Sequence, residues 1–189
     1  MGNINSLVPL ARPYVFNCTK ILIERELLRA ARLFFQRTQV WRKPMVVAVA
    51  AGQTEGEFDL SKDEQFVVLL SVRNRGGGAP LPKKAYSAST THLRLTCPPA
   101  QTFLTDCVVA IKPSLASDSL PDALIEEYGE FIASGAVEAL LEMPGTAWFD
   151  PNMGARHGQK FRSAITSTRI RIIQEFSNRP SQARGPKFL

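Results

Sequence analysis

The sequence predicts an α+β protein of 189 residues, with helices toward both ends of the chain and strands between them. Apolar residues recur at three- and four-residue steps in the outer segments, whereas short β-branched runs separated by turn-forming residues fill the middle. We therefore predict a helical bundle domain from residues 1–44 and 113–178. An antiparallel β domain of residues 45–112 is inserted into it, and residues 179–189 form an extended C-terminal tail.

The first long helix is predicted to begin at Asn17, as its N-cap, and to end near Thr38. Its apolar residues recur at helical spacing on one face: Ile23, Leu27, Ala30, Ala31 and Phe34. Arg25, Arg29 and Arg32 fall on another face. This pattern indicates an amphipathic helix with a buried face and a basic face.

Five short runs indicate the strands of a small antiparallel sandwich: MVVAVA, GEFDL, QFVVLLSV, THLRLT and TDCVVAIK. The loop RNRGGGAP at 73–80 is rich in glycine, a residue that also occurs in phosphate-binding loops. It lacks the following Gly-Lys-Ser/Thr of such loops, so we interpret it as a hairpin tip.

The second helix is predicted from a capping box formed by Ser119 and Asp122, with Pro121 in its first turn. It should end at the Pro144-Gly145 pair. The run Ala-Ser-Gly-Ala around Gly135 predicts a close contact with a neighbouring helix, because glycine within a helix usually has a packing reason.

The third helix is predicted to begin at Asp150, an N-cap followed by a first-turn proline. Its apolar stripe is spaced for one helix face: Phe161, Ile165, Thr168, Ile172 and Phe176. Gly154 and Gly158 lower the intrinsic helix propensity of its first two turns, so those turns should depend on packing.

Charge is strongly segregated along the chain. Residues 1–43 carry eight bases and two acids, and residues 155–189 carry eight bases and one acid. Between Lys112 and Arg156 there are eight acids and no base. Such blocks favour self-association, although three solvated helix faces of different charge remain an alternative.

If the blocks meet between neighbouring subunits, acids of the second helix should contact bases of the first or third helix. The candidate subunit contacts are Glu126, Glu127, Glu130, Arg25, Arg29, Arg162 and Arg169.

The sequence offers no candidate catalytic, cofactor-binding or metal site. Three cysteines without CxxC spacing and two histidines far apart indicate neither a disulfide framework nor a zinc site, and they favour folding in a reducing cytoplasm. No Ser, Cys or carboxylate stands in a known catalytic spacing to His92 or His157, so we expect no enzyme. We also expect no membrane span, because the apolar run Met45 to Ala51 is too short.

Three blocks of this sequence resemble the head-to-tail adaptor of short-tailed phages, also called the tail tubular protein A family. They are LIERELLRAARLFFQRTQVWR at 22–42, LPDALIEEYGEFIASGAVEALLEMPGTAW at 120–148, and DPNMGARHGQKFRSAITSTRIR at 150–171. The strand-rich region between the first and second blocks is similar only in its general pattern of short β-branched runs.

The resemblance implies a structural protein of the virion tail, assembled in the cytoplasm of the bacterial host. Its partners would be further copies of itself in a twelvefold ring, the portal protein, the tail nozzle protein and tail fibres or spikes. Viral DNA would pass through the lumen during ejection. The resemblance implies no cofactor, no small-molecule substrate and no catalytic role.

The family places its C-terminal segment on the portal, so the resemblance implies the same role for the tail of this chain. The tail RPSQARGPKFL combines bases, two prolines and an apolar end, and we expect it to be ordered only against a partner. Its candidate portal-binding residues are Arg179, Arg184, Lys187, Phe188 and Leu189.

A basic nucleic-acid-binding protein is the alternative function, since the formal net charge is +6. No recognised DNA-reading motif is present, and aromatic residues are not interleaved with the bases. The acidic second helix would also repel a duplex close to the basic faces.

Overall fold

The computed structural model describes residues 2–76, 80–117 and 119–177, which fold into helices and antiparallel sheets. The α+β class is therefore confirmed. Residues 77–79 of the predicted hairpin tip and the predicted tail, 179–189, lie outside the described residues.

The eight strands of the described residues form three antiparallel sheets. Their bounds are β1 (Gly2–Asn3), β2 (Arg42–Val49), β3 (Glu55–Glu57), β4 (Glu64–Asn74), β5 (Tyr86–Ala88), β6 (His92–Leu95), β7 (Phe103–Pro113) and β8 (Ser119–Leu120). The strand orders are β2-β7-β4 and β3-β6-β5, and β1 pairs with β8. All five predicted strand runs overlap an observed strand, while β1, β5 and β8 carried no sequence signal that we recognised.

The two three-stranded sheets pack on each other. A Cβ at Gly56 of β3 would lie 2.6 Å from the carbonyl oxygen of Ala48 on β2, so only glycine fits this crossing. Phe58, directly after β3, stacks on Phe66 of β4 with ring centroids 5.2 Å apart. A core therefore lies between the sheets, as the predicted sandwich requires.

The three long helices are α2 (Lys20–Thr38), α3 (Asp122–Leu141) and α4 (Pro151–Ser177), and α1 (Val8–Ala11) is a single turn. All five residues of the predicted apolar face of α2 are buried: Ile23, Leu27, Ala30, Ala31 and Phe34. On α4, Phe161, Thr168 and Ile172 are buried and Ile165 is half-buried. The helical periodicity of the sequence thus identified the faces that pack.

Helix α2 packs against the other helices on one side and the sheets on the other. The ring of Phe34 contacts Tyr128 of α3 and Phe161 of α4, with centroids 5.1 Å and 6.1 Å apart. The next residue, Phe35, contacts Trp41 just before β2 at 5.6 Å. A single apolar cluster extends from the helices into both sheets. The division into a helical and an inserted β domain stays a prediction.

Two predicted helix starts are wrong. Helix α2 begins at Lys20 after Thr19, while Asn17 lies before the helix in left-handed backbone with φ 65°. Helix α3 begins at Asp122, because Ser119 belongs to β8 and pairs with Asn3 of β1. Strand pairing between distant segments thus takes the position predicted for the N-cap.

The predicted start of α4 is confirmed. The Asp150 carboxylate accepts a hydrogen bond of 2.9 Å from the Met153 backbone N–H, and Pro151 occupies the first helical position. Helix α3 ends at Leu141, shortly before the predicted turn, where Gly145 has φ 78°. Glycine suits that left-handed conformation.

Glycines allow α3 and α4 to pack closely. A Cβ at Gly135 would lie 2.9 Å from the Phe161 ring, so the predicted close contact is confirmed. A Cβ at Gly158 would overlap the Glu138 carboxylate, and one at Gly154 would contact α3 at 3.4 Å. The glycines that weaken α4 as an isolated helix therefore permit its approach to α3.

We expect Gly135→Leu to lower the free energy of unfolding by about 1–3 kcal/mol, because the new side chain would overpack the buried Phe161 ring. Thermal and urea unfolding would measure the change. Ala123→Leu adds bulk at an exposed position of the same helix and serves as the control. Equal stability of the two variants would show that the contact at Gly135 accommodates a side chain.

Candidate interaction surfaces

Opposite charges of α3 and α4 meet within a single chain. Glu127 pairs with Arg171 at 2.5 Å, Glu138 with Arg162 at 2.5 Å, and Glu130 with Lys160 at 3.4 Å. The helices are antiparallel, so acidic residues of α3 and basic residues of α4 lie side by side. We call this row of three pairs the α3–α4 seam.

The seam uses several residues predicted to contact a neighbouring subunit. Glu127, Glu130 and Arg162 pair within the chain, although each remains partly exposed. Glu126 and Arg169 are exposed and make no ion pair with any residue that the structure describes. Contacts between subunits stay a prediction, and these two are the candidates that form no ion pair within the described residues.

The remaining two predicted contact residues flank a buried carboxylate. Arg25 and Arg29 are largely exposed and lie 3.4 Å and 3.6 Å from the oxygens of Glu26, which is 3% exposed. Oε2 of Glu26 has no hydrogen-bond partner among the described residues. Sequence reasoning overlooked Glu26, although its position three residues after Ile23 and four before Ala30 places it on the apolar face of α2.

A cavity of about 310 Å³ lies between α2 and α3 next to Glu26. Glu138 and Glu142 also line it, as does Arg29. Arg25 and Arg29 pair with Glu26, and Arg162 pairs with Glu138. Two of the three carboxylates that line the cavity are therefore already engaged by arginines of the same chain.

Tyr128 connects the seam to the core. Its side chain is 2% exposed, and its hydroxyl lies within hydrogen-bonding distance of Arg171. Burial, followed by the neighbouring Glu127 carboxylate, raises the pKa of Tyr128 to about 12. The phenol therefore stays protonated and uncharged at neutral pH, and it adds no negative charge beside the seam.

His157 lies where the N-terminal segment packs on α4. Its ring meets Tyr14 edge to face, with centroids 4.4 Å apart, beside a cavity of about 230 Å³ that Lys160 and Glu130 also line. Nδ1 is buried without a hydrogen-bond partner in the described part of the chain. Burial and, second, the Lys160 ammonium lower the pKa of His157.

The other candidate reactive groups lie apart. His92, on β6, contacts the Thr91 hydroxyl through Nδ1 at 2.7 Å and lies 3.5 Å from Glu57. Cys18 and Cys107 are buried, which raises the pKa of both thiols, and Cys97 is exposed. Within the described residues, no group of three or more His, Cys, Asp and Glu side chains is placed to hold a metal ion.

The described helices include none with the length and apolarity needed to cross a bilayer. The predicted portal-binding residues, Arg179, Arg184, Lys187, Phe188 and Leu189, lie outside the described residues. Comparison with known proteins found no matching family model and no matching curated protein.

His157 should make stability depend on pH. Its pKa is lower in the folded than in the unfolded chain, where it is about 6.5, so the unfolded chain binds the proton more readily. The free energy of unfolding should therefore fall as pH drops below about 6.5. His157→Phe should flatten this dependence in urea unfolding between about pH 7.5 and 5.5. An unchanged slope in His157→Phe would assign the dependence to other groups.

Proposed function

We propose that this chain is a structural adaptor of a phage tail, which forms a ring that joins the portal to the tail nozzle and continues the DNA channel. The observation that carries the proposal is that the three blocks with the family resemblance are spatial neighbours. The first block spans most of α2, the second contains α3, and the third covers most of α4. A helical bundle with an inserted β domain is the arrangement that the family resemblance implies.

The contacts among these blocks support the proposal. Phe34 comes from the first block, Tyr128 from the second and Phe161 from the third, and their rings form one buried group. Gly135 of the second block receives Phe161 of the third. The resembling residues therefore form one packed unit, as expected of a scaffold whose shape is its function.

Subunits of such a ring would meet by unlike faces, because closed rings are built from heterologous contacts. The α3–α4 seam already compensates most charges of these helices, so the ring contact would use shape and the uncompensated residues. Glu126 on α3 and Arg169 on α4 are the charged candidates. The nucleic-acid alternative is weaker for the same reason, since Lys160, Arg162 and Arg171 are engaged by carboxylates.

Binding to the portal tests the proposal directly. Purified protein, alone and mixed with purified portal rings encoded by the same genome, would be examined by sedimentation velocity and negative-stain electron microscopy. We expect portal-dependent rings of this chain. A chain that stays monomeric with the portal would contradict the adaptor function.

The tail should determine retention on the portal. Removing residues 179–189 should leave the helices and sheets folded, while co-sedimentation with portal rings should drop sharply, because the bases and the apolar end would supply the contacts. A variant with Arg179, Arg184 and Lys187 replaced by glutamine separates the charge contribution. Full retention of the truncated chain would contradict portal binding by the tail.

Glu126→Lys tests the ring contact, because it reverses a charge that forms no ion pair with the described residues. We expect weaker ring assembly at low salt, because a surface pair contributes ~0.2–1 kcal/mol and the loss recurs in every subunit. Asp63→Lys, the same charge change at an exposed position between β3 and β4, is the control. Equal assembly of both variants would remove Glu126 from the contact.

A further inference from the structure

A groove lies at one end of the sheets, away from the helices. It has a volume of about 510 Å³, within the roughly 300–1,000 Å³ usual for ligand pockets. Apolar side chains provide most of its lining: Leu81, Pro82, Leu95, Pro98, Pro99 and Phe103. We call it the sheet-end groove.

Hydrogen bonds hold the walls of the sheet-end groove in place. The Leu81 N–H donates to the Val72 carbonyl at 2.9 Å, which ties one wall to β4. The Thr96 N–H donates to the Ala85 carbonyl at 2.9 Å, which joins the two walls. Prolines in both walls restrict the backbone further. The groove is thus formed before a ligand arrives, so little ordering would oppose binding.

The rim of the groove is cationic and uncompensated. Lys84 lines the groove and Lys83 precedes it. The Arg75 backbone N–H donates a 3.1 Å hydrogen bond to the carbonyl of Leu104, the residue that follows Phe103 of the lining. All three are exposed and form no ion pair within the described ranges. The sequence between Glu64 and Asp106 contains no acid.

We propose that the sheet-end groove binds an acidic peptide segment of a partner protein, which inserts one or two apolar side chains between the proline-rich walls. Apolar walls favour an apolar anchor, and the unpaired lysines and arginine favour carboxylates on either side of it. Among the described residues that line the groove, Phe103 alone is aromatic, and one ring is a poor platform for stacked bases. The proposal does not depend on ring assembly.

Cys97 provides a reporter, because it lines the groove and is exposed, whereas Cys18 and Cys107 are buried. The full chain would be alkylated with iodoacetamide, a neutral reagent, and the rate at Cys97 followed by mass spectrometry. The probe is the capped hexapeptide Glu-Asp-Leu-Trp-Asp-Glu. The control peptides are Gln-Asn-Leu-Trp-Asn-Gln, which lacks charge, and Glu-Asp-Gly-Gly-Asp-Glu, which lacks the anchor.

We expect the acidic Leu-Trp peptide to slow alkylation of Cys97 by about fivefold or more at saturation, and each control peptide by less than about twofold. Lys84→Glu should abolish the protection. Lys62→Glu, an exposed lysine before β4 at the far end of the sheet, should retain it.

Three results would overturn the proposal. The first is the absence of saturable protection by the acidic Leu-Trp peptide in the wild-type chain. The second is equal protection by the uncharged peptide or by single-stranded oligothymidylate. The third is shielding of Cys97 in a concentration-dependent dimer without peptide, which sedimentation would detect and which would make a second copy the occupant.

Discussion

The packing of two consecutive phenylalanines of α2 connects the helices to the sheets. Phe34 and Phe35 are both fully buried, yet a turn of about 100° between adjacent helical residues sends them to different neighbours. Phe34 lies among the rings of α3 and α4, and Phe35 lies against Trp41 at the entrance to the sheet. The Trp41 carbonyl then accepts a hydrogen bond of 2.9 Å from the Ile111 N–H of β7. Because α2 packs against both the other helices and the sheets, the helices and the sheets share one core.

The sequence predicted those features that depend on nearby residues. Asp150 caps α4 through a hydrogen bond to a residue three positions later, so the local pattern contained the whole interaction. Ser119 carried a similar signal, but Asn3 pairs with it in β1–β8, and no local rule includes a residue so distant in sequence. The short strand β5 was missed for a different reason: its partner β6 is close in sequence, but three residues are fewer than the roughly four to eight over which alternation is recognised. Helix periodicity succeeded because buried faces repeat along the chain.

The α3–α4 seam shows a second feature that the sequence alone could not assign, namely which charges pair with each other. Opposite charge blocks in the sequence are compatible with contacts between subunits and with contacts between helices of one subunit. The pairs Glu127–Arg171 and Glu138–Arg162 show that the chain uses the second arrangement. The charges in the sequence cannot separate the two cases, because an acidic helix attracts a basic helix equally well in its own chain or in a neighbouring subunit. The packing of Phe161 against Gly135 brings α4 against α3 and so allows these pairs within one chain, while contacts between subunits stay a prediction.

Because the charges of the α3–α4 seam are paired, the long-range electrostatic field of the molecule comes mainly from other residues. Paired charges a few ångströms apart cancel beyond a Debye length of about 8 Å at physiological ionic strength, so the α3–α4 seam exerts little field on an approaching partner. The cations beside the sheet-end groove, Arg75, Lys83 and Lys84, have no such partners within the described residues. Their field therefore persists into solution and can steer an anionic partner before contact. The charges along the seam are thus mostly paired within the chain, whereas the sheet end carries exposed cations that form no ion pair with the described residues.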